Sequence, residues 1–175
     1  MRLAYFFATG CYIGLLPFSQ GTFASVATCI GLGLVGAYGD LESAGMVAVI
    51  LAAASFIGAY YVVAIAELHM QFLHGQRPNH RGVMVNRDYQ QTVIDEIHGQ
   101  AIAAVPAFAF AADTRSMVWL LVLSLVLFRI FDIAKPLVIG WIDKNVDGTT
   151  GIMLDDTVSG FAAAAIMHLS FVYGS

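Results

Sequence analysis

Charged residues interrupt this chain so rarely that the interruptions define its layout. Residues 3–39 carry no charged side chain, and neither do residues 43–66. The run Ala44–Ala66 is 23 residues long, and about 20 apolar residues let a helix cross a bilayer. The runs and their breaks predict helices over about 23–38 and 44–66, joined at Gly39-Asp40-Leu41-Glu42. Two more are expected near 93–112 and 116–134, joined by Asp113-Thr114-Arg115, and a last one near 157–173. Residues 3–16 form an apolar segment too short to span comfortably, which reads as a half-spanning, re-entrant or interfacial helix. A turn rich in helix breakers follows at Pro17-Phe18-Ser19-Gln20-Gly21-Thr22. Polar stretches at 67–92 and 135–156 complete the plan, and no internal repeat is visible. The expected fold class is all-α, a multi-pass membrane helical bundle forming one domain over residues 1–175.

Composition supports the membrane reading. Of 175 residues, 59% are hydrophobic and only 11% charged, whereas soluble domains carry roughly 25% charged residues. Net charge is −4, and no basic stripe with interleaved aromatics exists to neutralise a nucleic-acid backbone. Cys11 and Cys29 stand alone among small and apolar residues, so they read as packing residues rather than a disulfide or zinc pair. The apolar stretch before Ala8-Thr9-Gly10-Cys11 is shorter than a signal-peptide core, so cleavage there is not expected.

Basic residues orient the bundle. The stretch 67–92 holds Arg77, Arg81 and Arg87, while the turn at 39–42 holds only acids, so the positive-inside rule puts the former in the cytoplasm. Alternating from there, Pro17–Ser25, Asp95-Glu96, Arg129–Lys135 and Asp155-Asp156 all fall on the cytoplasmic side. Segment length adds depth to this picture. Only 15 uncharged residues separate His98 from Ala112 inclusive, and only 13 run from Ser116 to Phe128. Reaching spanning length pulls Asp95, Glu96, Arg129 and Asp132 to the membrane rim, facing the bundle interior.

Those acids carry the candidate chemistry. Asp95, Glu96, Asp132, Asp155 and Asp156 lie in three short polar blocks set against apolar runs, where a carboxylate is costly and needs a partner. Clustered carboxylates with substrate phosphate and water are how Mg²⁺ is usually held. Arg129, Asp132 and Lys135 are spaced i, i+3, i+6, one polar stripe on a helix that Pro136 ends or kinks. Arg supplies a fork for phosphate oxygens and Lys a point charge. In Gly148-Thr149-Thr150-Gly151-Ile152-Met153-Leu154-Asp155-Asp156-Thr157, a glycine-bearing loop is expected to lead into a helix that starts at the two acids. Helix capping is the bland alternative for each block. Capping at all three, on one membrane face, is harder to sustain.

Other chemistries lack their motifs. No Ser lies in a G-x-S-x-G elbow, neither Cys has an Arg six residues on, and neither Lys follows a phosphate-cradling glycine loop. His69, His74, His80 and His168 lack partners at ligand spacing and read as loop or packing residues. His98, beside Asp95-Glu96, is a weaker candidate for a proton shuttle. A secondary transporter would keep its acids near mid-helix, and a non-catalytic membrane protein would use them as caps.

These blocks resemble the phosphatidylglycerophosphatase A family of bacterial Mg²⁺-dependent lipid phosphatases, from about Gly14 to Gly160. The carriers are Leu16-Pro17 through Gly21-Thr22 to Ser25, then Asp95-Glu96 with Gly99, and Phe128-Arg129-Ile130 with Asp132 and Lys135-Pro136. Trp141-Ile142-Asp143, Gly151-Ile152-Met153, Asp155-Asp156 and Gly160 complete them. The chain departs from the family pattern at Gln20, Ala24, Ile94 and His98 but keeps every acid. The Asp-Gly-x-x-Ala-Arg core of CDP-alcohol phosphotransferases is missing. The resemblance implies removal of the terminal phosphate of phosphatidylglycerophosphate at the cytoplasmic face of the inner membrane. It implies that Asp95, Glu96, Asp132, Asp155 and Asp156 share Mg²⁺ binding and water activation. Arg129 and Lys135 would hold the phosphate, with Thr22 and Ser25 adding hydroxyl or backbone contacts. Which acid is ligand, base or nucleophile stays open.

Overall fold

The computed structural model describes residues 2–74, 77–78, 84–85, 92–146 and 148–173, without the side chains of residues 2, 4 and 63–85. The side chains of Arg77, Arg81, Arg87, His69, His74 and His80 therefore lie outside the described residues. The elements are α1 (Arg2–Ala8), α2 (Gln20–Tyr38), α3 (Leu41–His74), α4 (Ile94–Phe110), α5 (Thr114–Ala134), α6 (Val138–Asn145) and α7 (Gly148–Tyr173). A single 3₁₀ turn covers Ile13–Leu15, and β1 (Arg77–Pro78) pairs antiparallel with β2 (Met84–Val85). The all-α architecture expected from the apolar runs is what forms. Stretches in Gln20–Tyr38, Leu41–Val62, Thr114–Ala134 and Gly148–Tyr173 are long and apolar enough to cross a membrane.

The short helix α4 organises the bundle. Its 17 residues extend about 25 Å, and it packs against α2, α3, α5 and α7. Ala101, Ala103, Ala104 and Ala107 are fully buried in its flanks. Small side chains let helix backbones approach closely, which is how helices gain contact where lipid supplies no hydrophobic drive. Gly99 and Gly160 take this furthest. A Cβ on Gly160 would lie 2.5 Å from the Gly99 carbonyl oxygen, and one on Gly99 would lie 2.8 Å from that of Asp156. The α4–α7 seam is thus a backbone-to-backbone contact. It sets how near the acids at the start of α4 come to those of α7.

The outer faces of the spanning helices are apolar: Ile30, Ile50, Ile57, Trp119 and Leu169 are each more than half exposed, a surface that lipid would cover. The largest buried apolar cluster, including Leu32, Phe108, Met117 and Met167, fills the half of the bundle away from Asp95. At that far end Asp40 and Asp113 cap helices. Ser43 N–H and Ser116 N–H each donate to the respective carboxylate at 2.7 Å, and these bonds hold both carboxyls below the usual aspartate range. A depressed pKa means each cap is intact above the ordinary carboxylate range and is lost as pH falls through the lowered value.

Three expectations from sequence need correction. The last helix begins at Gly148 rather than 157, so the glycine-bearing segment is helical and Asp155-Asp156 lie two turns inside α7. The polar stretch 135–156 contains an unforeseen helix, α6. Lys135 leaves the Arg129–Asp132 stripe, because α5 ends at Ala134 and Lys135 takes a left-handed C-cap conformation with φ 43°. The N-terminal segment is short as expected. Ala8 at the end of α1 accepts a hydrogen bond from Val93 N–H just before α4, which ties it to the acid-bearing end.

Gly160→Val would wedge a branched side chain into the α4–α7 seam. Overpacking of this kind costs about 1–3 kcal/mol or more. The expected outcome is a lower thermal midpoint in detergent, with Gly31→Val, where no atom lies within 4 Å of the added Cβ, nearly neutral by the same measurement.

Candidate functional site

One end of the bundle gathers the acids. Asp95 and Glu96 stand in the first turn of α4, Asp132 near the end of α5 and Asp155-Asp156 in the third turn of α7. Because α4 and α7 lead away from this end while α5 leads into it, residues far apart in sequence meet there. Oxygens of Asp95, Glu96 and Asp156 all lie within 4.8 Å of one another. Asp95 and Asp156 are 5% and 3% exposed, and Glu96 is half-buried. Asp132, Asp95 and Asp155 all lie close enough to Asp156 for their charges to act on it.

Helix capping does not account for this group. The N-cap of α4 is Val93, which has no capping side chain, and Asp155-Asp156 are interior to α7. Buried carboxylates packed this closely repel unless a proton or a cation intervenes. The donor set is all oxygen, as hard divalent cations require. Mg²⁺ with oxygens at about 2.1 Å spans roughly 4.2 Å between opposite ligands, which this separation accommodates.

The basic residues divide the remaining acids. Arg129 makes an ion pair with Asp132; its Nε is buried and has no hydrogen-bond partner among the described residues. Lys135 donates to Asp143 and to Asp155, each at 2.6 Å. Burial pulls its ammonium down, but the hydrogen bonds and charges of the two carboxylates outweigh this and hold its pKa above the ordinary lysine value. The five acids are therefore not one equivalent set. Asp95, Glu96 and Asp156 converge, Asp132 bridges Asp156 to Arg129, and Asp155 turns to Lys135.

Asp143 was quoted in the family resemblance without a role; the structure makes it the clamp that joins α6 to the α5 terminus. Its signal was a carboxylate eight residues beyond Lys135, readable only once α6 folds back. Thr22 and Ser25 lie in the first two turns of α2. Ser25 is fully buried and donates to the Gly21 carbonyl at 3.0 Å, while Thr22 is half-buried. Gly21 itself abuts the Glu96 carboxylate so closely that any Cβ would collide with it. The N-terminus of α2, with its unsatisfied N–H groups, is thereby brought to the acids. His98 bridges helices: Nδ1 lies 2.8 Å from the Ala52 carbonyl oxygen and Nε2 2.9 Å from Thr157 Oγ1. His168 packs against the Phe110 ring, as a packing residue should. Cys11 and Cys29 are free.

A helical membrane protein with a buried carboxylate cluster and an adjacent guanidinium at one bundle end has the make-up of a phosphate-handling membrane site. The phosphatidylglycerophosphatase A family profile matches residues 6–171, and the chain belongs to that family. It is 38% identical over 81 residues to phosphatidylglycerophosphatase A of Escherichia coli, covering 46% of this chain and 44% of that protein. It is 37% identical over 75 residues to a Bacteroides thetaiotaomicron protein provisionally named phosphatidylinositol-3-phosphatase, covering 42% of this chain and 43% of that one. The chain thus aligns with less than half the length of each of these relatives. No solved structure matches it significantly.

Lys135→Met would leave Asp155, whose side chain is 10% exposed, buried without its cation. A marked drop in thermal midpoint at neutral pH is expected. Asp143→Asn should cost less, since that side chain is 44% exposed and pairs on solvated surfaces contribute little. Thermal unfolding of the two variants in detergent checks the order.

Proposed function

We propose that this protein hydrolyses the terminal phosphate monoester of phosphatidylglycerophosphate to give phosphatidylglycerol and phosphate, in an Mg²⁺-dependent reaction at the cytoplasmic face of the bacterial inner membrane. The convergence of Asp95, Glu96 and Asp156 beside Arg129 carries this reading, and family membership supplies the substrate class. The three converging carboxylates would hold the Mg²⁺. When bound, such an ion lowers the pKa of water and neutralises charge on a phosphoryl group.

The protein's own groups divide the rest of the work. Arg129 offers its guanidinium to the phosphate oxygens, and Asp132 fixes its orientation. The start of α2 adds backbone N–H groups and the Thr22 hydroxyl, while Ser25, whose hydroxyl donates to the Gly21 carbonyl, would hold that turn in place. Attack by water forms one P–O bond and breaks the ester P–O bond. A carboxylate of the Asp132–Asp156 pair takes one proton from the water and returns it to the departing glycerol oxygen, while the water's other proton stays on the released phosphate. Lys135 is already matched by Asp143 and Asp155, so in this scheme the three hold α6 and α7 in register; Lys135 meets phosphate only by leaving one carboxylate.

Phosphate release from phosphatidylglycerophosphate by the purified protein in mixed micelles tests the proposal. Release is expected with Mg²⁺, loss with chelator, and recovery when Mg²⁺ is returned. Asp95→Asn and Asp156→Asn should each lower kcat/KM at least about a hundredfold, the scale of a lost acid–base group. Phosphatidylinositol 3-phosphate serves as the competing substrate, because one relative carries that name. Faster release from it, or full activity in Asp156→Asn, would overturn the assignment.

A further inference from the structure

A second feature of the bundle opens sideways toward lipid. α3 and α7 both pack on α4 but barely touch each other, which leaves a groove of about 530 Å³ between them. Its walls include Val49, Ala53 and Phe56 of α3, Ile102 of α4, and Phe161 and Ala164 of α7. Val49 and Phe161 at its lips are 54% and 60% exposed. His98 and Thr157 are the groove's polar lining, hydrogen-bonded to each other across the seam. Both sit at the acid end. His98 is one turn beyond Asp95 on α4, and Thr157 directly follows Asp156 on α7. From His98 the wall runs along α4 to Pro106, about 12 Å at 1.5 Å per residue. Among the described residues no other polar side chain lines it.

Resting on the proposed phosphatase activity, we infer that this groove seats an acyl chain of the phospholipid substrate. The site where the phosphate would lie and the apolar channel share two helices and meet at His98–Thr157. A lipid with its head group at the carboxylates has its hydrocarbon directed along that same wall. The other flank of α3 also bears an apolar groove, about 610 Å³, against α1, α2 and α4, but α7 and its acids form no part of it. The α3–α7 groove is walled by two of the acid-bearing helices, α4 and α7. His98 and Thr157 act as its stop: their mutual bond closes the apolar channel where the polar site begins, so the ester region of the lipid rests against them.

The test uses the intact wild-type protein in phosphatidylcholine nanodiscs with phosphatidylglycerophosphate bearing a diazirine in one acyl chain. Photolysis is expected to label the Val49–Phe56 and Phe161–Ala164 segments. Excess unlabelled phosphatidylglycerophosphate should suppress this, and excess phosphatidylcholine of the same chains should not. Equal labelling by a diazirine phosphatidylcholine, or indifference to the competitor, would mean bulk lipid only and overturn the inference. A kinetic arm compares dioleoyl phosphatidylglycerophosphate with its deacylated form. Ala53→Phe and Ala164→Phe, which fill the groove from its accessible side, should lower the long-chain preference in kcat/KM about tenfold. Leu169→Phe on the outer face of α7 should leave that preference unchanged. An unchanged preference in both groove variants would also overturn the inference. If the wild type releases phosphate from neither substrate, the activity proposal fails, and the labelling pattern still decides the groove.

Discussion

Placing three carboxylates within 4.8 Å of one another in a chain that is 59% hydrophobic is the constraint on which the rest of the structure depends. Each charge taken from water costs several kcal/mol, and like charges add to that cost. Only tight packing elsewhere sustains such a cluster. The glycine contact between α4 and α7 and the alanine-rich flanks of α4 provide it. The bundle's largest apolar cluster occupies the opposite half, so stability and the polar cluster are spatially separated. This is the arrangement expected when a membrane protein retains ionisable groups for function.

The cations are distributed unevenly around the acids. Lys135 is consumed by Asp143 and Asp155, and Arg129 by Asp132. These three ion pairs engage Asp132, Asp143 and Asp155. For the converging oxygens of Asp95, Glu96 and Asp156 we propose a divalent ion with substrate phosphate. The ion pairs around the cluster then have positional roles. Lys135, in its left-handed C-cap, locks α6 beneath the first turns of α7, and Asp132 aims the guanidinium.

Fold and site were legible in the sequence to different depths. The apolar runs located α2, α4 and α5 within a few residues, because a segment that must traverse a bilayer announces itself by length and by absence of charge. The helix α3 was located at its start but runs on to His74, eight residues past the expected end. Boundaries at the polar stretch 135–156 were misread. Gly148 and Gly151 look like loop residues, yet Gly151 is needed inside the helix because the Val146 carbonyl presses on the place a Cβ would take. The amphipathic α6, only eight residues long, has too few turns to stand out against its polar neighbours. The i, i+3, i+6 stripe predicted one helical face for Arg129, Asp132 and Lys135, but a helix end intervened before the third member.

By itself the sequence determined that this is a helical membrane protein and which acids are conspicuous in it, since hydropathy and charge act locally along the chain. Asp95-Glu96, Asp132 and Asp155-Asp156 could be singled out from that alone. Only the tertiary structure decided how they divide. Asp155 and Asp156 are neighbours in sequence, but a helix turns adjacent side chains about 100° apart, sending one to Lys135 and the other to Asp95 and Glu96. Gly21 likewise gained its meaning from a residue 75 positions away, Glu96, whose carboxylate occupies the place a Cβ on Gly21 would take. Close approach between distant segments is a property of packing, and no local pattern encodes it.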